Sequence, residues 1–187
     1  QALLLGIQGH HLNDDPIHLN QITAAPTPTP HWQRGDLLLS ARHSSTVFLY
    51  RPSTGRVVWH LTGPWMNQHS AEFVGDHQIS VFNNNVYSGA TTPQPFLAPG
   101  DINGVMLYDF RTGQVTEPYV SLLAEAKPLT KSAGRARILP AGGLFVEDTK
   151  LFLQKVFTGN AIFAADAACQ KITVVTIITI LRIFNVV

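Results

Sequence analysis

Short apolar runs separated by turn-forming residues dominate the chain between residues 32 and 120. The runs at 37–42, 46–50 and 56–62 are five to seven residues long, and Gly-Asp, Ser-Ser and Pro-Ser-Thr-Gly sequences bound them. Runs of this length between turn formers are typical of β-strands joined by tight turns. The pattern therefore predicts an all-β fold of short antiparallel strands.

One strand–turn–strand layout occurs twice. Residues 47–59 (VFLYRPSTGRVVW) and 105–115 (VMLYDFRTGQV) both place a Tyr shortly before a Thr-Gly turn. Glycine-containing turns also precede the apolar runs 78–82 and 144–147. Repeated units of short strands are typical of propeller blades, so we expect a partial β-propeller of about three blades. A β-sandwich is the alternative, because it contains similar strands.

The remaining segments follow a different pattern. Residues 1–31 are expected to form a loop, because they end in the proline-rich run APTPTP. Residues 86–103 form one long predicted loop, and 121–127 and 161–168 are predicted short helical turns. From residue 151 the strand-and-turn pattern stops. We therefore expect an incomplete propeller domain at 1–150 and a divergent, strand-prone tail at 151–187.

The last apolar stretch, residues 172–187, raises the question of a membrane anchor. It is 16 residues long and contains Arg182, whereas a membrane-spanning helix needs about 20 apolar residues. Its many β-branched residues favour a strand. The sequence thus favours a core strand pair over a membrane-spanning segment.

Composition narrows the possible functions. Hydrophobic residues make up 45% and charged residues 13% of the chain, which suits a compact β structure and excludes a disordered one. The formal net charge is only +1 and no basic run occurs, so nucleic acid is not an expected partner. Cys169 is the single cysteine, which excludes an internal disulfide and a multi-cysteine metal site.

The candidate chemistry lies in the first half of the chain, because all eight histidines stand at or before His77. Histidine can act as nucleophile, general base or metal ligand near neutral pH. No spacing typical of a metal site accompanies these histidines, so no metal is predicted. Two groups remain as candidates for chemistry: His11 with Asn13, and Gln68 with His69. The alternative is that these residues only stabilise turns, and the same alternative holds for Asn83 and Asn84 after the run 78–82.

The order of the motifs resembles the arylsulfotransferase family, in its branch of large propeller-containing proteins, over residues 10–150. The motifs that carry the resemblance are HLND at 11–14, GDLLLSAR at 35–42, TGPW at 62–65, QH at 68–69, ISVFNNN at 79–85, GRARILP at 134–140 and GLFVE at 143–147.

This resemblance implies a six-bladed propeller with its site at the central channel. The family moves a sulfuryl group from a phenolic sulfate ester to another phenol without a nucleotide donor or other cofactor, through a transient sulfohistidine. The implied partners are small phenolic or aryl sulfate substrates, with missing blades or a second copy completing the ring. An extracytoplasmic location is also implied.

Residue by residue, the resemblance implies His69 and His11 as catalytic histidines. It implies a substrate-binding set comprising Asn13, Gln68, Asn83, Asn84 and Arg135.

The chain departs from the family pattern at two positions. The family's arginine falls near Asn103, and its later histidine, the one expected to carry the sulfuryl group, falls near Ala136. The chain is therefore either a sulfotransferase that uses His69 or His11 as nucleophile, or a non-catalytic propeller module that binds a ligand or partner. Convergence of the rings of His11 and His69 on one sulfate-sized site would favour the enzyme.

Overall fold

Antiparallel strands form most of the regular structure of the computed structural model, which describes residues 15, 17–89, 92–126, 128–139, 143–148, 153–158 and 161–166. Within these ranges the elements follow in the order β1 (Leu19–Ala24), β2 (Leu37–Ala41), β3 (Thr46–Arg51), β4 (Arg56–Thr62), β5 (His69–Val74), β6 (Gln78–Asn83), β7 (Tyr87–Gly89), β8 (Thr92–Phe96), β9 (Gly104–Asp109), β10 (Gln114–Thr116), α1 (Val120–Ala126), β11 (Arg135–Ile138), β12 (Leu144–Asp148), β13 (Leu153–Thr158) and β14 (Ala161–Asp166).

Three four-stranded sheets follow one another along the chain. The first has the order β1-β2-β3-β4, the second β5-β6-β9-β10 and the third β11-β12-β13-β14, and all pairings are antiparallel. The hairpin β7-β8 is inserted between β6 and β9. Each sheet is thus an up-and-down meander, since strands adjacent in the sheet are consecutive along the chain apart from this insertion.

The all-β prediction is confirmed, and several strands agree closely with it. Strand β4 has the predicted bounds, and β2, β3, β6 and β12 differ from the prediction by one residue at one end. The predicted helical turn at 121–127 is confirmed as α1. Local turn residues were sufficient to predict the bounds of these strands, because each strand begins and ends next to turn residues of its own.

Three predictions of local structure were wrong. The expected loop at 1–31 contains β1, which pairs with β2 from Leu19–Ala41 to Ala24–Leu37. The expected loop at 86–103 contains the β7-β8 hairpin. The expected helical turn at 161–168 contains β14, which pairs with β13. In each case pairing with a partner strand overrides a weak local preference.

Two apolar clusters join the sheets. The first lies between the first and second sheets and contains Trp32, Leu38, Leu49, Trp65 and Ile79, all 0–2% exposed. The second joins the second and third sheets and α1. Its buried members are Phe82, Val105, Leu123, Ala136, Leu144 and Val146.

The edges of the three sheets determine where a site can form. Strand β1 packs beside β5, and β5 packs beside β11, so these strands lie next to one another. The described sheets do not close into a ring. Strands β13 and β14 lie beyond residue 150 yet belong to the same sheet as β11 and β12. The division into domains at residue 150 stays a prediction.

The predicted strand pair at 172–187 lies outside the described residues. In the part of the chain that the structure describes, no helix is both long and apolar enough to cross a bilayer.

Candidate functional site

A polar pocket of about 360 Å³ lies where β1, β5 and β11 meet. Side chains or backbone from all three strands, from the loop before β11 and from β12 line it. The lining residues are Asn20, Gln21, His69, Ser70, Ala133, Gly134, Arg135 and Glu147.

His69, the first residue of β5, is held at both ring nitrogens. The backbone N–H of Ala133 donates to Nε2 over 3.1 Å, and Nδ1 lies 2.7 Å from Oδ1 of Asn84. An amide N–H only donates, so Nε2 accepts and the ring proton is on Nδ1. Nδ1 therefore donates to Asn84 Oδ1, which fixes one neutral tautomer with its lone pair on Nε2.

The pKa of His69 is lowered to about 4, chiefly by burial, with the nearby charge of Arg42 acting in the same direction and the hydrogen bond that the ring donates to Asn84 opposing it. A neutral imidazole is the form in which a histidine can attack an electrophile, because its Nε2 lone pair is not protonated. His69 therefore stays deprotonated throughout the neutral pH range.

Arg42 follows the last residue of β2 and supplies positive charge beside His69. Its side chain is partly buried, and burial lowers the pKa of its guanidinium. No hydrogen bond or ion pair of this guanidinium occurs within the described ranges. A partly buried cation with no counter-ion among the described residues is suited to bind an anion.

The sequence reasoning did not single out Arg42, although it lies in the GDLLLSAR motif. The available sequence signal was a charged residue directly after an apolar run.

A network of asparagine amides ties the loop before β11 to the second sheet. Asn84 Nδ2 donates to the carbonyl oxygens of Thr130 and Ala133 over 3.2 and 2.9 Å. Asn103 donates to the carbonyl oxygens of Asn84 and Thr130, and its Oδ1 accepts from the N–H of Thr130 over 2.6 Å. Asn103, near which the resemblance implies the family's arginine, thus links backbone segments within the protein.

Gln68 lies between the first and second sheets rather than in the pocket. It is fully buried, and its Nε2 lies within hydrogen-bond distance of Ser40 Oγ and of the carbonyl oxygens of Ala41 and Thr46. Its Oε1 has no partner in the described part of the chain. The structure therefore does not bring Gln68 and His69 together as two pocket residues, and a role for Gln68 in substrate binding stays a prediction.

Asn83 is also buried, and its Oδ1 accepts from the N–H groups of Met66 and Asn85 over 2.8 and 3.0 Å. It thereby fixes the turn that leads into β5. Among the predicted substrate-binding residues that the structure describes, Asn84 hydrogen-bonds the ring of His69 and Arg135 lines the pocket.

The position expected to hold the later histidine faces the core. Ala136 is 3% exposed and packs in the second apolar cluster, whereas the neighbouring Arg135 is exposed and lines the pocket. Ser70 Oγ hydrogen-bonds both backbone groups of Ala136, with its carbonyl oxygen at 3.2 Å and its nitrogen at 3.4 Å. This contact fixes β11 against β5, so Arg135 and His69 share one pocket.

His11 and Asn13 lie outside the described residues, so their convergence with His69 stays a prediction. Within the described ranges, no group of three or more His, Cys, Asp or Glu side chains is placed to hold a metal ion.

Comparison with known families identifies the same family that the order of the motifs resembles. The model of a family described as Arylsulfotransferase (ASST) matches residues 3–160. Because the match covers most of the chain, the protein belongs to the arylsulfotransferase family. The match also extends past both ends of the 10–150 range inferred from the motifs. No curated protein and no solved structure matched the chain. Family membership supports a sulfotransferase-like function in general and suggests aryl substrates.

Proposed function

We propose that this chain carries a sulfuryl-transfer site in which Nε2 of His69 is the transient sulfur acceptor. The observation that carries the proposal is the state of that ring. It is neutral, its Nδ1–H is fixed by Asn84, and it borders a pocket with cationic Arg42 nearby. An oriented imidazole next to fixed positive charge is the arrangement that nucleophilic catalysis on a sulfate ester requires.

In the first step, the Nε2 lone pair of His69 forms a bond to sulfur. The bond between sulfur and the aryl oxygen breaks, and the phenolate leaves with the electron pair. The sulfurylated ring retains its proton on Nδ1 and becomes cationic. The carbonyl end of the Asn84 amide accepts from that N–H and stabilises the added charge, as the orienting group of a catalytic triad does.

In the second step, the oxygen of an acceptor phenol attacks sulfur. The N–S bond breaks with its electron pair returning to Nε2, and the phenolic proton passes to solvent. The free enzyme is regenerated with His69 in its original tautomer. Donor and acceptor therefore bind in turn, which gives ping-pong kinetics.

The sulfuryl oxygens gain negative charge as sulfur changes partners. Arg42 and Arg135 are the cations of the described site that can neutralise them: Arg42 acts electrostatically on His69, and Arg135 lines the pocket. Charge-assisted hydrogen bonds to such oxygens are about twice as strong as neutral ones. Transition-state stabilisation of this kind supplies roughly 3–4 kcal/mol for each well-placed donor in other enzymes.

We further propose that the three meanders are successive blades of a propeller, with β1, β5 and β11 as their innermost strands. The direct packing of β1 on β5 and of β5 on β11 supports this arrangement. The pocket would then face the central channel. Further blades or a second copy would complete the ring. An extracytoplasmic location is proposed on the family resemblance alone.

A non-catalytic binding module is the second candidate, and one observation favours it. The N–H of Ala133 occupies the lone pair that sulfur would need. In a binding module, Arg42 and Arg135 would hold an anionic ligand and His69 would remain a structural residue.

Turnover of a chromogenic aryl sulfate with a phenol acceptor tests the two candidates. We expect His69→Ala to lower kcat/KM by on the order of 10³-fold or more, as loss of a nucleophile does. His60→Ala, on an exposed position of β4, serves as the matched control and should keep wild-type activity. Wild-type activity in His69→Ala would refute His69 as the sulfur acceptor. Absence of turnover in the wild type, with retained aryl sulfate binding, would establish the binding module.

A further inference from the structure

The hydrogen bond from Ala133 to His69 is incompatible with sulfur transfer at the same atom. Neutral imidazole has a single lone pair in the ring plane, here on Nε2. The Ala133 nitrogen lies 3.1 Å from Nε2 along that hydrogen bond. A sulfur atom bonded to Nε2 would occupy the space between the two nitrogens. Either the ring or the Ala133 backbone has to move before the first chemical step.

The ring is the more firmly held of the two partners. Its rotation would break the hydrogen bond to Asn84, whose side chain is fully buried and also bonds two backbone carbonyl oxygens. Leaving a buried polar group without its partner costs more than breaking a bond that water can replace. Residues 131–133, by contrast, are exposed, and Asn84 Nδ2, which also bonds the Ala133 carbonyl oxygen, keeps its bond to the Thr130 carbonyl oxygen when Ala133 moves. Movement of the backbone is therefore the easier of the two changes.

Residues 130–134, which we name the cap segment, have fixed ends and an exposed middle. Thr130 is fully buried and bound through both backbone groups to Asn103. Gly134 has a φ of +89°, and a Cβ there would lie 2.7 Å from the ring of Phe82, so this end also fits closely. The three residues between are exposed and belong to neither apolar cluster.

We propose that the cap segment occupies the nucleophilic nitrogen in the resting protein and has to open before sulfur can bond to His69. Asn103 is the positioning residue that sets how firmly the segment closes. This inference rests on the proposed function for its chemical meaning, but the contact itself can be tested without turnover.

The first test measures how accessible Nε2 is in the full-length chain. Diethyl pyrocarbonate acylates unprotonated imidazole nitrogens, and peptide mapping by mass spectrometry gives the rate at each histidine. At neutral pH we expect His69 to react more slowly than exposed His60. We expect Asn103→Ala to raise the rate of His69 acylation roughly tenfold. This factor corresponds to the net stabilisation of the closed cap segment by about one hydrogen bond.

The matched control is Asn85→Gly. Asn85 also donates its side-chain amide to a nearby carbonyl, that of Ile102, but it makes no described bond to the cap segment. Its φ of +52° is a conformation that glycine accepts readily. The His69 rate should stay at the wild-type value in this variant. An unchanged His69 rate in folded Asn103→Ala would overturn the proposal.

Amide hydrogen exchange of the wild-type chain tests the same idea without any substitution. Thr130 N–H, bound to buried Asn103, should exchange at least tenfold more slowly than Ala133 N–H, because the middle of the cap opens by itself. Equal, slow exchange at both amides would show that the segment opens only with the whole sheet and would overturn the proposal. If both tests succeed while aryl sulfate is not turned over, the cap stands and the proposed function fails.

Discussion

The two junctions between sheets differ in chemistry. The junction between the first and second sheets is apolar and aromatic: the ring centroids of Trp32 and Phe73 lie 4.8 Å apart with the rings tilted, and the amide of Gln68 is enclosed in it. The junction between the second and third sheets has a smaller apolar cluster. Beside this cluster, Asn84, Asn103 and Thr130 form a hydrogen-bonded polar group.

This difference assigns folding stability to one junction and the orientation of the site residues to the other. Apolar contacts are strong in sum but non-directional. They therefore hold β5 against the first sheet but do not orient individual side-chain atoms. Amide hydrogen bonds are individually modest but directional, and they are what orients His69 and the cap segment. We infer that the first junction supplies most of the folding free energy and that the second supplies the geometry of the site.

The largest expected change in stability comes from the apolar junction. Trp32→Ala should lower the free energy of unfolding by about 3–5 kcal/mol, because a side chain that is 2% exposed leaves a large cavity. Urea denaturation followed by fluorescence and circular dichroism measures this loss. Val57→Ala, at a position 44% exposed on β4, is the control and should change stability by no more than about 0.5 kcal/mol.

A pH-dependent loss of stability should come from His69. Its pKa is about 4 when folded and near 6.5 when unfolded, so the unfolded chain binds more protons between these values. Stability contributed by the neutral ring is therefore present above pH 6.5 and is lost as pH falls toward 4. The loss reaches at most about 3 kcal/mol.

His69→Gln removes this titration and gives the comparison. Denaturation of both proteins at several pH values should show a stability difference that changes between pH 6.5 and 4. Parallel curves over that range would show that His69 is not buried in its neutral form.

The enclosed amide of Gln68 should have an intermediate effect. Gln68→Ala removes the donor shared by the carbonyl oxygens of Ala41 and Thr46 and should lower stability by about 2 kcal/mol. Gln33→Ala, at an exposed position, is the matched control. If both variants unfold at the same urea concentration, Gln68 contributes nothing to this junction.

The smallest effect is expected within the first sheet, away from both junctions. Asp36 accepts two hydrogen bonds from Arg51, at 2.9 and 2.7 Å, and these contacts hold the pKa of its carboxyl below the usual value. Asp36→Asn should lower stability by about 1 kcal/mol at neutral pH. The difference between the two proteins should shrink below pH 3.8, where the unfolded carboxyl takes up its proton. A difference that grows on acidification would contradict this role.

Elements bounded by their own turns could be predicted from the sequence. Strands β2, β3 and β4 follow from short apolar runs between Gly, Pro and Ser turns. Strand β1 (LNQITA) was missed because it contains few large apolar residues and is defined by pairing with β2. Strand β14 (AIFAAD) was taken for a helical turn because alanine favours helices, whereas its register against β13 decides the outcome.

The site was predictable only in part. The motif order singled out His69 and Arg135, which line one pocket, and Asn84, which hydrogen-bonds His69. Gln68 and His69 are neighbours along extended chain, and alternation sends neighbouring side chains to opposite faces, so only one could face the pocket. The burial of Arg42 and the contact of Asn103 with Thr130 depend on residues distant in sequence, and no local pattern encodes them.

The central claim is that His69 accepts the sulfuryl group, and trapping that intermediate tests it most directly. The full-length chain is incubated with an aryl sulfate in the absence of acceptor, quenched in alkali, digested and mapped by mass spectrometry. We predict a mass gain of one sulfuryl group on the peptide that contains His69, lost when a phenol is added before the quench and absent in His69→Ala. A sulfuryl group located on another residue, or turnover without any gain on the His69 peptide, would contradict the account.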